Sequence, residues 1–469
     1  MRKLIVLFTM VLILMCLVPA ALAAEDISGK ELVTDHSGFS SLNRLFDGRT
    51  IETTIIKAGG QITLAHEDGI GSIYMVLGLE YGGITVTDTQ TGETHIMGET
   101  GFLHEFLNLE EAFGYAPKEV KVTFDRGEAQ LNELSVFTPG EVPDWVQQWD
   151  LPAEGEADLV LFSAHGDDEQ LFFAGMLPWY GQELGYNVQV VYLTGHRNMT
   201  MRRSHEMLDG LWAVGIRHYP VFGPFGDYNT RSLTEAYEKY SYKGISREDI
   251  LSFVVENIRR FRPKVAVGHD LRGEYGHGMH MIYAELLCSA VEISSDTTRF
   301  PESAETFGAW DVPKTYLHLY PENQIVMDWD IPMESFRGMT AFEVTRDLGF
   351  PSHVSQQTYY SWYFDGIHAA SEIREYSPCI FGLYRSTVGE DQQKRDFFEN
   401  VTTHAEDSLL EEKQRVEEGT KSCPEEAATM ETAAPEMTMP QEVKSDRNNT
   451  SIIYWISALI MDVFACFLR

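Results

Sequence analysis

The 469-residue chain carries 71 acidic and 36 basic residues, for a formal net charge of -35 and a pI near 4.7. Such an excess excludes a duplex nucleic-acid binder, whose affinity comes from neutralising phosphates, and electrostatic docking on an anionic membrane. With 43% hydrophobic and 23% charged residues, the composition is that of globular domains, and the length allows more than one core.

Arg2 and Lys3 precede an apolar run from Leu4 to Val18, then Pro19 and Ala21-Leu22-Ala23. This pattern predicts a signal peptide over residues 1–23, cleaved before Ala24, and therefore an exported, extracytoplasmic protein. Cys16 leaves with the signal. The remaining Cys288, Cys379, Cys423 and Cys466 are too widely spaced for a disulfide framework.

Residues 24–147 read as short strands. Ile84 and Val86 alternate with Thr85 and Thr87, and Val120, Val122 and Phe124 with Lys121 and Thr123. Gly59-Gly60, Gly82-Gly83 and Thr91-Gly92 punctuate the runs as turn signals. Period-two alternation of this kind predicts an all-β sandwich. The stretch Leu45-Phe46-Asp47-Gly48 resembles the entry of discoidin-like jelly rolls, which implies a glycan-binding role for the sandwich.

The pattern changes near Pro152. Leu159–Phe162, Val188–Leu193 and Val265–Val267 are buried-type strands. Helices are predicted over 170–184, 201–214 and 246–261, the last opened by a capping-box-like Ser246 and Asp249. Strands alternating with helices predict an α/β fold with a doubly wound sheet over residues 148–400. From Val401 to Thr450 there is no aromatic residue, and 12 acids face 5 bases. A polar helix is expected over 404–419 within an acidic, disordered stalk of residues 401–450. The apolar run Ile452–Leu468, interrupted by Asp462, makes residues 451–469 a candidate membrane anchor. Asn198-Met199-Thr200 and Asn400-Val401-Thr402 fit the glycosylation pattern.

Two polar clusters follow two of the strands. Strand 159–163 runs into Ala164-His165-Gly166-Asp167-Asp168-Glu169. Ligands of open α/β sheets sit beyond the carboxyl ends of strands. An imidazole and a carboxylate three residues apart in a tight turn can share one divalent metal, leaving the neighbouring carboxylate to face substrate. Acids capping the next helix would explain Glu169 but not His165. Strand 265–267 runs into His269-Asp270, and then Glu274-Tyr275-Gly276-His277-Gly278-Met279-His280. One of His277 and His280 could complete the metal site while the other faces substrate. Three protein ligands and an open position are the pattern of catalytic zinc, and an adjacent carboxylate can take the proton of the attacking water. These parts suit hydrolysis of an amide.

The two motifs resemble those of the PIG-L/LmbE-like family of zinc-dependent N-acetylglucosaminyl deacetylases, over roughly residues 158–401. The resemblance implies that His165, Asp168 and His280 ligate Zn2+, that Asp167 is the general base, and that His277 stabilises the tetrahedral intermediate or protonates the amine. It implies a carbonyl-polarising role for Tyr275. Arg203, in Arg203-Ser204-His205-Glu206, and Asp227 are implied contacts to sugar hydroxyls, and His353, in His353-Val354-Ser355-Gln356, a substrate-site residue. Gly166 stands where the family has Pro. Met279 stands where an acid often precedes the last His, so Asp270 or Glu274 is expected to substitute. The expected function is an exported zinc N-deacetylase acting on an amino sugar or glycoconjugate. The alternative is a non-catalytic glycan-binding surface protein with a retired deacetylase domain.

Overall fold

A computed structural model describes residues 23–195 and 202–421. The expected signal peptide (apart from Ala23), the Asn198 sequon, residues 422–450 of the expected stalk and the 451–469 tail lie outside the described residues. Among the described residues, no helix is long and apolar enough to cross a membrane. The chain up to Glu411 forms one compact unit containing two sheets.

The first sheet has eight antiparallel strands: β1 (Val33–Phe39), β2 (Thr54–Ala65), β3 (Ser72–Leu77), β4 (Ile84–Asp88), β5 (Thr94–Met97), β6 (His104–Asn108), β7 (Glu119–Phe124) and β8 (Ala129–Phe137). Their order is β5-β4-β7-β2-β8-β3-β6, with β1 beside β2. The alternation seen in the sequence is structural: Val120, Val122 and Phe124 enter one apolar core with Ile62, Leu64 and Val86. One expected turn is not a turn. Gly59-Gly60 lies inside the 12-residue β2, which pairs with β8 through Thr54–Ile56 and with β7 through Gly60–Ala65. Gly59 at φ +76° allows the strand to bend between these partners.

The second sheet contains β9 (Leu159–Ser163), β10 (Val188–Thr194), β11 (Val221–Phe225), β12 (Val265–Gly268), β13 (Lys314–His318), β14 (Gln324–Val326) and β15 (Ile380–Ser386). Its order is β11-β10-β9-β12-β13-β15-β14. The first five strands run parallel, and β15 is antiparallel to both β13 and β14. Both faces are buried, which explains the unbroken apolar strands. Leu159 and Leu161 join a core with Phe172, Tyr180 and Trp329. Val160 and Phe162 join another with Val254, Ile258 and Ile282. Among the helices that follow β9 are α1 (Asp168–Leu171), α2 (Arg202–Ala213), α3 (Leu233–Tyr242), α4 (Arg247–Phe261), α5 (Gly278–Ile293), α6 (Pro301–Phe307), α7 (Gln357–Tyr363) and α8 (His404–Lys421). Ser246 and Asp249 form the expected capping box of α4.

Two expectations need correction. The helix over 170–184 is not continuous: α1 stops at Leu171, and a separate π-turn spans Pro178–Glu183. Gly175 at φ +89° breaks it, and a Cβ there would lie 2.5 Å from Trp329, so tertiary packing overrides helical spacing. The first residues of the expected stalk are not free of the folded part. Asp407 pairs with Lys264, and the His404 amide donates to Asp158 Oδ1 at 2.7 Å, tying this stretch to the α/β core. Cys288 and Cys379 are buried free thiols.

Candidate metal-binding active site

Strand order reverses between β9 and β12, which are neighbours in the sheet but not in sequence. The loops leaving their carboxyl ends therefore diverge over one crevice, where ligands of such sheets bind. His165 and Asp168 come from the first loop, His280 from the first turn of α5 after the second. His165 Nδ1 lies 3.1 Å from Asp168 Oδ2 and 3.1 Å from His280 Nε2; His280 Nε2 is 3.2 Å from Asp168 Oδ2. Ligands about 2.1 Å from a tetrahedral ion lie about 3.4 Å apart. Two imidazole nitrogens and one carboxylate oxygen thus form a nearly equilateral triangle of the size that a small divalent cation spans.

The ring nitrogens facing away from this triangle are held by carboxylates. His165 Nε2 donates to Asp227 Oδ1 at 3.1 Å, and His280 Nδ1 to Glu274 Oε2 at 2.7 Å. Each bond puts the proton on the outer nitrogen and leaves a lone pair inside the triangle, the carboxylate–histidine–metal arrangement. Glu274 is fully buried and also accepts from His269 Nδ1 (2.9 Å) and His318 Nδ1 (2.6 Å). His269 Nε2 lies 3.6 Å from Asp168, and Asp168, His269 and His280 form another close group. That nitrogen, however, accepts from the Ala164 amide at 2.9 Å, so His269 supports the site instead of ligating.

The electrostatics favour a cation. Burial alone would lower the proton affinity of His280, but Asp168 and Glu274 override it and lift its pKa to about 9. Burial likewise opposes charge on His165, and Asp227 and Asp168 raise it well above its ordinary value. Burial pushes Asp168 up, yet the His280 and His165 rings hold it well below the usual carboxylate range. The same negative field suits a metal ion as well as it suits protons.

Around the triangle, a small cleft of about 70 Å³ is lined by Asp167, Arg203, Asp227, Tyr275, His277, Gln356 and Tyr359. Burial raises the Asp167 pKa to about 6 against the pull of Arg203, whose Nη2 is 3.6 Å away. Arg203 also donates to the Gly166 carbonyl, so it belongs to the cleft and not to an exposed helix pair. Gly166 has a local reason: a Cβ there would lie 2.1 Å from Met207 Cγ, and that side chain occupies the space a larger turn residue needs. His277 caps α5, its Nδ1 accepting from the Met279 amide at 3.3 Å, which leaves the proton on Nε2. Burial and the His165 and His280 rings press its pKa down to about 3. With Nδ1 accepting, His277 presents its Nε2–H to the cleft. Tyr275 sits at φ 45°, ψ 23°, a left-handed conformation that directs its ring beside His277 and His280.

The structure thus brings together His165, Asp167, Asp168, Arg203, Asp227, Tyr275, His277 and His280. Asp227 holds His165, a role the sugar-contact expectation did not include. His353 is corrected: it is fully buried, outside the cleft wall, and its Nε2 bonds Glu169 Oε1 at 2.9 Å. Glu169 in turn accepts from the Asp167 amide at 2.9 Å, which places His353 behind Asp167 and away from the cleft lining. Sequence reasoning missed His318 and the rim residue Tyr359. His318 lies at the end of β13, where the strand-end rule that found the other clusters also applies.

Residues 160–291 match the family PIG-L: GlcNAc-PI de-N-acetylase. A 1D-myo-inositol 2-acetamido-2-deoxy-alpha-D-glucopyranoside deacetylase 2 of Saccharopolyspora erythraea is 28% identical over 210 residues, 39% of this chain and 72% of the relative. A 1D-myo-inositol 2-acetamido-2-deoxy-alpha-D-glucopyranoside deacetylase of Rhodococcus erythropolis is 26% identical over 34% of this chain and 59% of its own length. Among solved structures, N,N'-diacetylchitobiose deacetylase from Pyrococcus horikoshii is 14% identical, with a TM-score of 0.29, covering 49% of this chain and 86% of that one.

Proposed function

We propose that this chain, whose α/β unit belongs to the PIG-L/LmbE-like deacetylase family, is an exported, zinc-dependent hydrolase that removes the acetyl group from an N-acetylated amino sugar or glycoconjugate. The observation carrying this reading is the triangle of His165 Nδ1, Asp168 Oδ2 and His280 Nε2, with Asp167 beside it. The names of the relatives supply the sugar; the site itself supplies amide hydrolysis. We read the strand order of the second sheet as Rossmann-like and doubly wound, and the bent first sheet as a jelly-roll-like sandwich.

His165, Asp168 and His280 would hold Zn2+, which when bound supplies Lewis acidity and an acidified water. Asp167, with its pKa near 6, takes the proton from the attacking water and returns it to the departing amine nitrogen. As water oxygen bonds to the acetyl carbon and the C–N bond breaks, His277 Nε2–H and the Tyr275 hydroxyl donate to the carbonyl oxygen that gains charge. Arg203 keeps Asp167 oriented through its guanidinium. The cleft admits the acetamido end of a substrate, and the rest of the sugar lies over the exposed Tyr359, which lines it, and the neighbouring Trp362.

The test is acetate release from N-acetylglucosaminides by the purified chain, lost on chelation and restored by zinc. Asp167→Asn should keep its zinc and lose about 10²–10⁴-fold in turnover. Wild-type turnover in Asp167→Asn would transfer the base elsewhere, and no acetate from any N-acetylated sugar would sink the reading.

A further inference from the structure

A second concavity, of about 1250 Å³, opens between the first sheet and the α/β part of the same compact unit, and it shares no lining residue with the catalytic cleft. Helix α2 links the two. Arg203 near its start lines the cleft, and Asp209 and Trp212 line the cavity six and nine residues later, about 9–14 Å along the axis.

Its walls combine a fixed aromatic surface with oriented polar groups. Trp145 is 50% exposed, far more than a ring of that size normally is. Its ring is nonetheless held in place, 5.9 Å from Tyr74 and 5.7 Å from Phe137 between centroids. Gln147 Nε2 donates to Asp209 Oδ1 at 2.6 Å, and Trp212 Nε1 donates to the Asp144 carbonyl at 2.7 Å. Because these side chains are already ordered, a ligand loses little by immobilising them. One face of Trp212 is covered by the Arg217 guanidinium at 3.9 Å, which leaves Trp145 as the open platform.

We propose that this cavity is a second carbohydrate site, which holds a neutral oligosaccharide with one sugar ring against Trp145. The C–H face of a pyranose is apolar and flat enough to cover an indole, while its equatorial hydroxyls need donors and acceptors around the edge. The exposed Gln148, Glu141 and Asp144 supply these. Glu133, Glu141, Asp144 and Asp209 outnumber Arg217 and Arg337 on the walls, which disfavours sulfated or uronate polymers. The inference rests on the proposed function in one respect: the polymer held here is the one whose acetamido groups reach the cleft.

The experiment is calorimetric titration of the full chain with N-acetylated chitotetraose, using heparin as the anionic control. His280→Ala, which removes turnover, should bind the tetraose as the wild type does. Trp145→Ala should weaken binding at least about tenfold, and Trp145→Phe should recover part of it. An unaltered melting curve for Trp145→Phe keeps the comparison independent of folding. Equal binding in Trp145→Ala, loss of binding in His280→Ala, or tight heparin binding that depends on Trp145 would each overturn the site. The outcome is separate from the deacetylase reading. Acetate release without any effect of Trp145 on binding removes only this site, and Trp145-dependent binding without acetate release removes only the activity.

Discussion

Glu274 accepts hydrogen bonds from three imidazoles, and the one from His280 Nδ1 is what turns His280 Nε2 towards the metal position. Glu274→Gln keeps the volume but sets an amide N–H₂ against ring N–H groups, so at least one imidazole loses its partner. Zinc affinity should fall about 10–100-fold, as for other outer partners of metal-bound histidines, and a competition titration with a chromogenic chelator reads it directly. Unchanged affinity would show that His280 keeps its orientation without this carboxylate. The sequence expectation looked for such an acid beside His277 because Met279 lacks one. Met279 is fully buried in the apolar core behind α5, so an aspartate there would place a charge among Ile282, Leu286 and Leu287 instead of in the site. The carboxylate comes from six residues before His280 and serves that ring, not His277.

Helix α2 carries its functions on different faces. Arg203 reaches the cleft, Ser204 donates to the Gly195 carbonyl, and His205 turns to the first sheet. His205 Nδ1 and His104 Nε2 share a hydrogen bond at 2.8 Å, and His104 Nδ1 and the Tyr74 hydroxyl another at 2.6 Å, a chain buried at both rings. Strands β3 and β6 thereby hold the helix that presents Arg203. His104→Ala leaves a buried His205 ring nitrogen unpaired, which costs about 1–3 kcal/mol, and should lower kcat by displacing Arg203 although His104 does not line the cleft. His104→Gln, which offers both a donor and an acceptor, should recover part of both; unchanged kcat in His104→Ala would mean that the first sheet is irrelevant to the cleft. This contact also marks the limit of what the sequence discloses. Strands β9, β10 and β12 were legible because two-sided burial writes an unbroken apolar run, and the ligand loops because their polar clusters follow those runs directly. The break at Gly175 was not, because Trp329 causes it from 154 positions away. Nor were Glu274 to His318 and Glu169 to His353, whose partners lie 44 and 184 positions apart and meet only once the sheet has formed. Local patterns report which residue types are present at a strand end; they do not report which distant ring completes the hydrogen bond.

Acid and base act on the folded molecule from opposite directions at the junction of the two sheets. Burial lowers the pKa of His205 to about 4, and burial with the neighbouring His205 holds His104 well below its ordinary value. Both rings bind fewer protons folded than unfolded, so ν_U exceeds ν_N and stability rises with pH. Their contribution is complete above about pH 6.5, the unfolded value, and is lost as pH falls towards 4. Asp209, on the same helix, is shifted the other way: burial lifts it to about 6, against the hydrogen bond from Gln147. A raised carboxyl binds more protons folded than unfolded, so its contribution is complete below its unfolded pKa of about 3.9 and is lost as pH rises through 6. Each group changes stability by up to about 1.4 kcal/mol per pH unit inside its window, and the windows overlap, so the wild-type melting temperature conceals both. Single variants separate them. The melting temperature of Asp209→Asn, relative to wild type, should climb between pH 4 and 6 and then level off. That of His205→Gln, relative to wild type, should climb in the opposite direction, as pH falls from 6.5 to 4. Thermal melts of the three proteins across that range decide the matter. Parallel pH profiles would mean that these buried groups keep their unfolded proton affinities, and profiles tilted the same way would mean that one of the two assignments has the wrong sign.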